Sequence, residues 1–274
     1  MSECVSNFFL YNDEIRKREE FEDNIFKEGK SLYEVIRIID GKPLFLKAHL
    51  DRLNNSSNIT DLKLWLGRKE IVDSIFKLIH INEIYSGNVK LIFNFYKNNK
   101  FLAYFVEHHY PTSRDYEVGV KTDFFHIERE NPNAKVINRK FKVRVNKKIT
   151  ESGIFEAVLV DDEGNITEGS KSNIFMIKGE KVITAPLKRV LPGTTRNIIM
   201  QICLGLGLEV LEEDVNYRGI DKFDAIFISG TSPKVLPVKS VGNIGFNSSN
   251  NKILLQIMGA YNEKIRKDIE NFVF

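Results

Sequence analysis

The amino-acid sequence predicts a two-domain protein of mixed structure, α+β or α/β, with a smaller α/β domain at about residues 1–110 and a second at about 118–274. Three observations lead there. Residues 8–107 mix short extended runs with one amphipathic helical stretch. Residues 108–116, which include Pro111, Ser113 and Arg114, lack hydrophobic periodicity and read as a linker. Beyond them the pattern changes to a long basic helix, then strands and two more helices. A chain of 274 residues with 42% hydrophobic composition can bury cores of this kind.

In the first half, residues 8–11 and 31–39 are extended, and Asp40-Gly41-Lys42-Pro43 turns the chain before Leu44-Phe45-Leu46. Segment 47–54 follows, with Arg52 on a short helix and Leu50 and Leu53 turned inward. Residues 69–81 set Ile71, Ile75, Leu78 and Ile79 on one helical face. Two alternating strands, 89–96 and 101–107, flank a turn at Lys97-Asn98-Asn99-Lys100. In the second half, Ile137, Phe141, Val145 and Ile149 recur every fourth residue, which predicts a helix over 134–152 ended by Gly153. Strands at 155–160 and 174–177 form a hairpin with a turn at Asp161-Asp162-Glu163-Gly164. Leu191-Pro192-Gly193 leads into a helix over 194–206 stopped by Gly207. A strand at 225–229, a loop at 245–251 and a helix at 253–271 complete the chain.

Charge and motif content exclude several functions. The 40 Lys and Arg nearly balance 37 Asp and Glu, so a net charge of +3 gives no reason to expect nucleic acid or an anionic membrane as partner. Arg139, Lys140, Lys142, Arg144, Lys147 and Lys148 form a basic run without aromatic interleaving, which reads as a solvated helix face. No stretch of about 18 apolar residues occurs, and residues 1–11 lack the layout of an export signal, so a cytoplasmic protein is expected. Cys4 and Cys203 read as reduced thiols. The five histidines form no ligand pattern, so no metal is expected, and His49 reads as structural. The GxSxG, GxGxxG and GxxxxGK[ST] signatures are all missing.

Four segments of the second half carry candidate chemistry. Lys135, in Asn133-Ala134-Lys135-Val136, can form a Schiff base with an aldehyde if its pKa is lowered, although local sequence alone favours a solvated lysine beside the basic run. Thr167-Glu168-Gly169-Ser170-Lys171-Ser172-Asn173 combines an acid with hydroxyls that suit a ring nitrogen or an anion, and equally a polar turn. Thr194 and Thr195 open a helix whose free N–H groups suit phosphate, or serve as a plain cap. Thr231 and Ser232 lie in a similar hydroxyl-rich turn. In the first half, Arg52 can bind phosphate bidentately or pair with an acid.

Taken in order, these residues resemble the class IV aminotransferases: branched-chain and D-amino-acid aminotransferases and 4-amino-4-deoxychorismate lyase, of pyridoxal-phosphate fold type IV. The resemblance runs from Phe26-Lys27-Glu28-Gly29-Lys30-Ser31-Leu32-Tyr33 to Val238. It implies pyridoxal phosphate in a cleft between the domains, with the second domain as the main cofactor binder. It implies covalent attachment and catalysis at Lys135, which lies 33 residues before Glu168. The EGSxSN pattern at residues 168–173 implies Glu168 at the pyridine nitrogen, with Ser170 and Asn173 beside the cofactor. Arg52, Thr194, Thr195, Thr231 and Ser232 correspond to phosphate ligands, and Tyr33 and Arg37 to substrate-side residues. The implied reaction moves an amino group between an amino acid, branched-chain or D-type, and a 2-oxo acid, in a homodimer. One departure leans to the lyase: Asn138 is followed by Arg139, where many of the aminotransferases have tyrosine.

Overall fold

The computed structural model describes residues 3–22 and 28–273, which form two compact units. Phe26 and Lys27, where the resemblance opens, lie outside the described residues. One unit comprises Met1–His109, Ala134–Ile137 and Ile265–Phe274, and the other Tyr110–Asn133 and Asn138–Lys264. Each unit is therefore discontinuous in sequence, and the short segment carrying Lys135 folds with the N-terminal residues.

The first unit contains strands β1 (Phe8–Tyr11), β2 (Glu14–Lys17), β3 (Lys30–Ile39) and β4 (Lys42–Pro43), helices α1 (Leu46–Thr60) and α2 (Arg68–Asn82), and strands β5 (Gly87–Phe95) and β6 (Lys100–Val106). The strands make an antiparallel sheet in the order β2-β1-β6-β5-β3-β4. Eight of the nine positions of central β5 are buried, because both sheet faces are covered. Val89, Leu91 and Phe93 join Leu32, Ile36 and Ile38 against the helices. Ile92 joins Cys4, Phe9, Phe21, Leu102 and Tyr104 on the opposite face. Ile71, Ile75, Leu78 and Ile79 of α2 are all buried, as their spacing requires. Each contributes about 1.5–3 kcal/mol through removal from water. The helix bearing Arg52 is longer than the short one expected, running 15 residues to a left-handed end at Asp61.

Lys135 does not start a helix. Residues 135–137 instead lie along β3, where the Tyr33 N–H donates to the Lys135 carbonyl at 3.1 Å and the Ile137 N–H to the Ser31 carbonyl at 3.0 Å. The N–H of Lys135 donates to Ser56 Oγ of α1 at 3.1 Å. This pairing satisfies strand-edge groups that would otherwise be buried without partners. The helix begins at Arg139, after Asn138 caps it by accepting the Phe141 N–H at 3.0 Å.

The second unit holds α3 (Ser113–Val118), β7 (Val120–His126), α4 (Arg139–Ser152), β8 (Glu156–Val160), β9 (Asn165–Gly169), β10 (Asn173–Lys178), β11 (Lys181–Thr184) and α5 (Thr194–Gly205). Strands β12 (Glu209–Glu212), β13 (Val215–Asn216), β14 (Ala225–Gly230), β15 (Lys234–Val241) and β16 (Ile244–Gly245) follow, then α6 (Lys252–Glu270), whose last turns belong to the first unit. Among the described residues the strands form one mixed sheet in the order β12-β11-β10-β14-β15-β7-β8-β9-β13, with β16 on β15.

Two expectations are corrected here. The supposed linker contains α3, because Thr112 and Asp115 cap its first turn reciprocally. The hairpin after the 161–164 turn returns through β9, not through 174–177, since Asp161 Oδ1 collects the N–H groups of Glu163 and Asn165 and reverses the chain at once. Strand β10 pairs with β11 and β14.

Candidate active site

The alternation of β3 sorts its side chains into two sets. Tyr33 and Arg37 are half-buried on one face, while Glu34 is inward on the other between Leu32 and Ile36. Lys135, also half-buried, holds its Nζ 4.7 Å from the centre of the Tyr33 ring. Lys90, buried, lies 5.5 Å from that ring centre and pairs with Glu3 at 2.9 Å.

On the helix side of β3, Arg52 Nε and Nη2 donate to the two oxygens of Glu34 at 2.7 and 2.6 Å, and His49 Nδ1 lies 3.0 Å from Glu34 Oε2. All three side chains are buried. Burial works to raise the Glu34 carboxyl, but the Arg52 charge and the hydrogen bonds from Arg52 and His49 outweigh it and hold the pKa at about 2. Burial lowers the pKa of His49 against the opposing pull of Glu34, so the imidazole is held towards its neutral form. Arg52 therefore directs one edge of its guanidinium at an internal acid.

In the second unit the motif residues converge through backbone pairing. Glu168, 3% exposed, is the penultimate residue of β9 and accepts the Leu191 N–H on Oε2 at 3.1 Å; its Oε1 lies 3.1 Å from Arg129 Nε. Arg129 also donates to the Ser170 carbonyl at 3.1 Å and covers the Phe141 ring. Asn173 donates to the Leu191 carbonyl at 3.1 Å. Its Oδ1 sits where a Cβ on Gly193 would be, 2.1 Å from that ideal position. Asn173 pairs with Ser229 across β10 and β14, which brings the 170–172 turn beside the strand end that leads to Thr231 and Ser232. Thr194 and Thr195 are buried at the first turn of α5, behind Gly193, which has no side chain to cap it.

Glu168, Ser170, Asn173, Thr194, Thr195, Thr231 and Ser232 all belong to the second unit. Tyr33, Arg37, Arg52 and Lys135 belong to the first. The sequence reading missed Glu34, Arg129 and Glu156. Glu34 had a usable signal, because a carboxylate at an inward position of an alternating strand demands a buried partner. Arg129 sits in an aperiodic loop with no such signal.

The side chains present suit the pyridoxal phosphate that the resemblance implies. An α-helix start without a side-chain cap, preceded by glycine and bearing two hydroxyls, is matched to an anion. Ser229 Oγ is fully buried with no hydrogen-bond partner, a polar atom whose demand the chain does not meet. Each carboxylate oxygen of Glu168 can accept two hydrogen bonds, so acceptor capacity remains beyond Leu191 and Arg129. Among the described residues no three His, Cys, Asp or Glu side chains cluster as metal ligands, and no helix is long and apolar enough to cross a membrane.

Among curated relatives, a putative branched-chain-amino-acid aminotransferase of Methanocaldococcus jannaschii is 27% identical, over 88% of this chain and 87% of its own. A D-alanine aminotransferase of Bacillus licheniformis is 28% identical, over 85% and 87%. The fold matches a crystal structure of the Escherichia coli branched-chain amino acid aminotransferase with a TM-score of 0.83, covering 95% of both chains at 21% identity. It also matches a putative 4-amino-4-deoxychorismate lyase from Legionella pneumophila with a TM-score of 0.75, covering 89% and 94% at 22% identity. Residues 31–241 match the family described as amino-transferase class IV, and a match of that extent means that the chain belongs to it, with the fold type IV architecture.

Proposed function

We propose that this protein is a pyridoxal-phosphate-dependent aminotransferase that moves an amino group between an amino acid, branched-chain or D-type, and a 2-oxo acid. The observation that carries the reading is the presence of both Lys135 and Glu168, 33 residues apart, inside the stretch that matches the family. A protein that only stored the cofactor would need an attachment point but no buried acid for the ring. Relatives named for branched-chain transamination, and one named for D-alanine transamination, support the two substrate classes.

When bound, pyridoxal phosphate supplies an electron sink for the substrate's α-carbon. The Lys135 amine would anchor the cofactor and, once released, would serve as the base that takes the α-proton and delivers it to the cofactor's aldehyde-derived carbon. Glu168, beside Arg129, would face the ring nitrogen and hold a proton there. Thr194, Thr195, Thr231, Ser232 and Arg52 bind the phosphate, while Ser170 and Asn173 fix the loop beside it. Tyr33 and Arg37, on one face of β3, border the substrate. The protein acts in the cytoplasm as a homodimer.

A second reading, 4-amino-4-deoxychorismate lyase, is favoured by Arg139 standing where many of the aminotransferases have tyrosine. One experiment separates the two. The protein is loaded with pyridoxal phosphate, its visible absorbance recorded, and L- and D-amino acids or aminodeoxychorismate added. Loss of the lysine-bound band with an amino acid, and 2-oxo acid formation, supports transamination. Pyruvate release from aminodeoxychorismate identifies the lyase, and a protein that never develops the band refutes both.

A further inference from the structure

Behind the Glu168 loop lies a second carboxyl for which the proposed reaction has no use. Glu156 opens β8 and is 4% exposed. Its Oε1 accepts a close hydrogen bond from the Ser170 hydroxyl, and its Oε2 accepts the Ser172 hydroxyl at 3.3 Å. The backbone of the same loop is tied to β8, with the Ser170 N–H donating to the Ala157 carbonyl at 2.9 Å and Gly169 in register with Val158. Gly169 is not in the positive-φ region, yet a Cβ there would fall 2.0 Å from Ser172 Oγ and 3.2 Å from Glu156 Cγ. The glycine is thus set by how closely these two side chains cross the loop. Burial pushes the Glu156 carboxyl's pKa up, against a smaller pull from the Ser170 hydrogen bond. Gln keeps the shape of the side chain and a polar atom for each hydroxyl, since its amide oxygen accepts from one serine and its amide N–H donates to the other, which can turn to accept.

The loop reaches Glu168 by two routes. Ser170 is two residues along the chain from it, and the Ser170 carbonyl accepts from Arg129, whose Nε lies against Glu168. We propose that Glu156 is a positioning residue: by holding the hydroxyls of Ser170 and Ser172 it sets the path of the 169–172 turn and the direction in which Glu168 and Arg129 meet the cofactor ring. This rests on the reading of Glu168 given above.

The test uses Glu156→Ala and Glu156→Gln in the full chain, with two readouts. In cofactor-free protein, hydrogen exchange of the amides at 169–173 is followed by mass spectrometry. In loaded protein, the visible band is titrated for pyridoxal phosphate affinity. Glu156→Ala should exchange faster at 169–173 and bind pyridoxal phosphate about tenfold more weakly, the scale of a lost buried hydrogen bond. Glu156→Gln should stay near wild type in both. Wild-type exchange and affinity in Glu156→Ala, with or without a lower melting temperature, overturns the proposal, as does a Gln variant that behaves like Ala. Should Glu156→Ala fail to fold, the Ser170→Ala, Ser172→Ala double variant removes the same hydrogen bonds from the other side and must give the same pattern. A wild-type protein that takes up no pyridoxal phosphate refutes the cofactor reading, while the exchange measurement still decides whether Glu156 holds the loop.

Discussion

Leu191 donates its backbone N–H to Oε2 of Glu168 at 3.1 Å, across 23 residues of chain. Its carbonyl accepts the Asn173 amide at the same distance, so one peptide position is clamped by both ends of the motif. Glu168→Gln preserves an acceptor for Leu191 and removes the charge that faces Arg129. The variant should fold and bind pyridoxal phosphate, yet lose about a hundredfold or more in kcat, the scale expected when a preorganised charge is deleted from a reacting centre. Steady-state kinetics on the loaded enzyme checks this, and an unchanged kcat would remove Glu168 from the role.

Lys135 is held through its backbone, by Tyr33 and Ser56, and not by its side chain alone. Lys135→Ala should therefore leave the fold intact, with unfolding free energy within about 0.5–1 kcal/mol of wild type. The visible band of the bound cofactor should vanish and turnover with it. A retained band, read by absorbance at saturating pyridoxal phosphate, would move the anchor to another lysine.

Gly193 has φ −62°, which any residue adopts, so the main obstacle to Ala is the Asn173 side-chain oxygen 2.1 Å from the Cβ position, with Arg196 Cβ at 3.3 Å a lesser one. Gly193→Ala should cost about 1–3 kcal/mol by displacing Asn173. Asn173→Ala clears that space. The double variant should then be more stable than the sum of the two single effects predicts, by about 1 kcal/mol. Additive losses in a denaturant series would mean that Gly193 is constrained by something else.

The Glu34 carboxyl sits at about 2 in the folded chain, against about 4.3 when unfolded, so the unfolded state takes up its proton first as pH falls. Its contribution, about 3 kcal/mol, is complete above pH 5 or so and is lost as pH falls through that window towards 2. His49 acts in the same direction from about pH 6.5 downward, because burial lowers its pKa and the unfolded chain is protonated first. In Glu34→Gln the buried Arg52 loses its counter-charge and His49 loses the carboxylate beside its Nδ1. That variant should be less stable at pH 7 by about 3–5 kcal/mol and should show a flatter pH dependence between 5 and 3. Urea unfolding at stepped pH measures both, and an undiminished slope would show that other carboxylates dominate.

The elements that sequence pattern revealed are those whose burial is periodic along one helix or strand, such as α2 with Ile71, Ile75, Leu78 and Ile79. Where partners are remote, the pattern misleads. Ile137 falls on the fourth-residue spacing of Phe141, Val145 and Ile149, yet it is drawn onto β3 by the Ser31 carbonyl, and no local signal reports that bond. The α3 cap at Thr112 and Asp115 was readable from the T-x-x-D spacing but lay hidden in a stretch that otherwise looks like a linker. At the site, Lys135, Glu168 and the hydroxyl turns are picked out by their order, through the resemblance to the class IV aminotransferases, because each segment alone reads as an ordinary surface lysine, turn or cap. Glu34, Arg129 and Glu156 are not, because each is defined by a partner that only the tertiary fold supplies.

Residues 135–137 lie along β3 as an added edge, with Val136 packed towards the helix side and Ile137 towards the opposite cluster. Lys135 shares the side of Ile137, so its aim is a matter of parity. Deleting or inserting one residue between Asn133 and Val136 would turn the amine through the sheet to the helix face, whereas a two-residue change would restore its side but shift it by about 7 Å. The position of this lysine is thus quantised by the strand, and chain length just before it is under tighter constraint than the identity of the residues there.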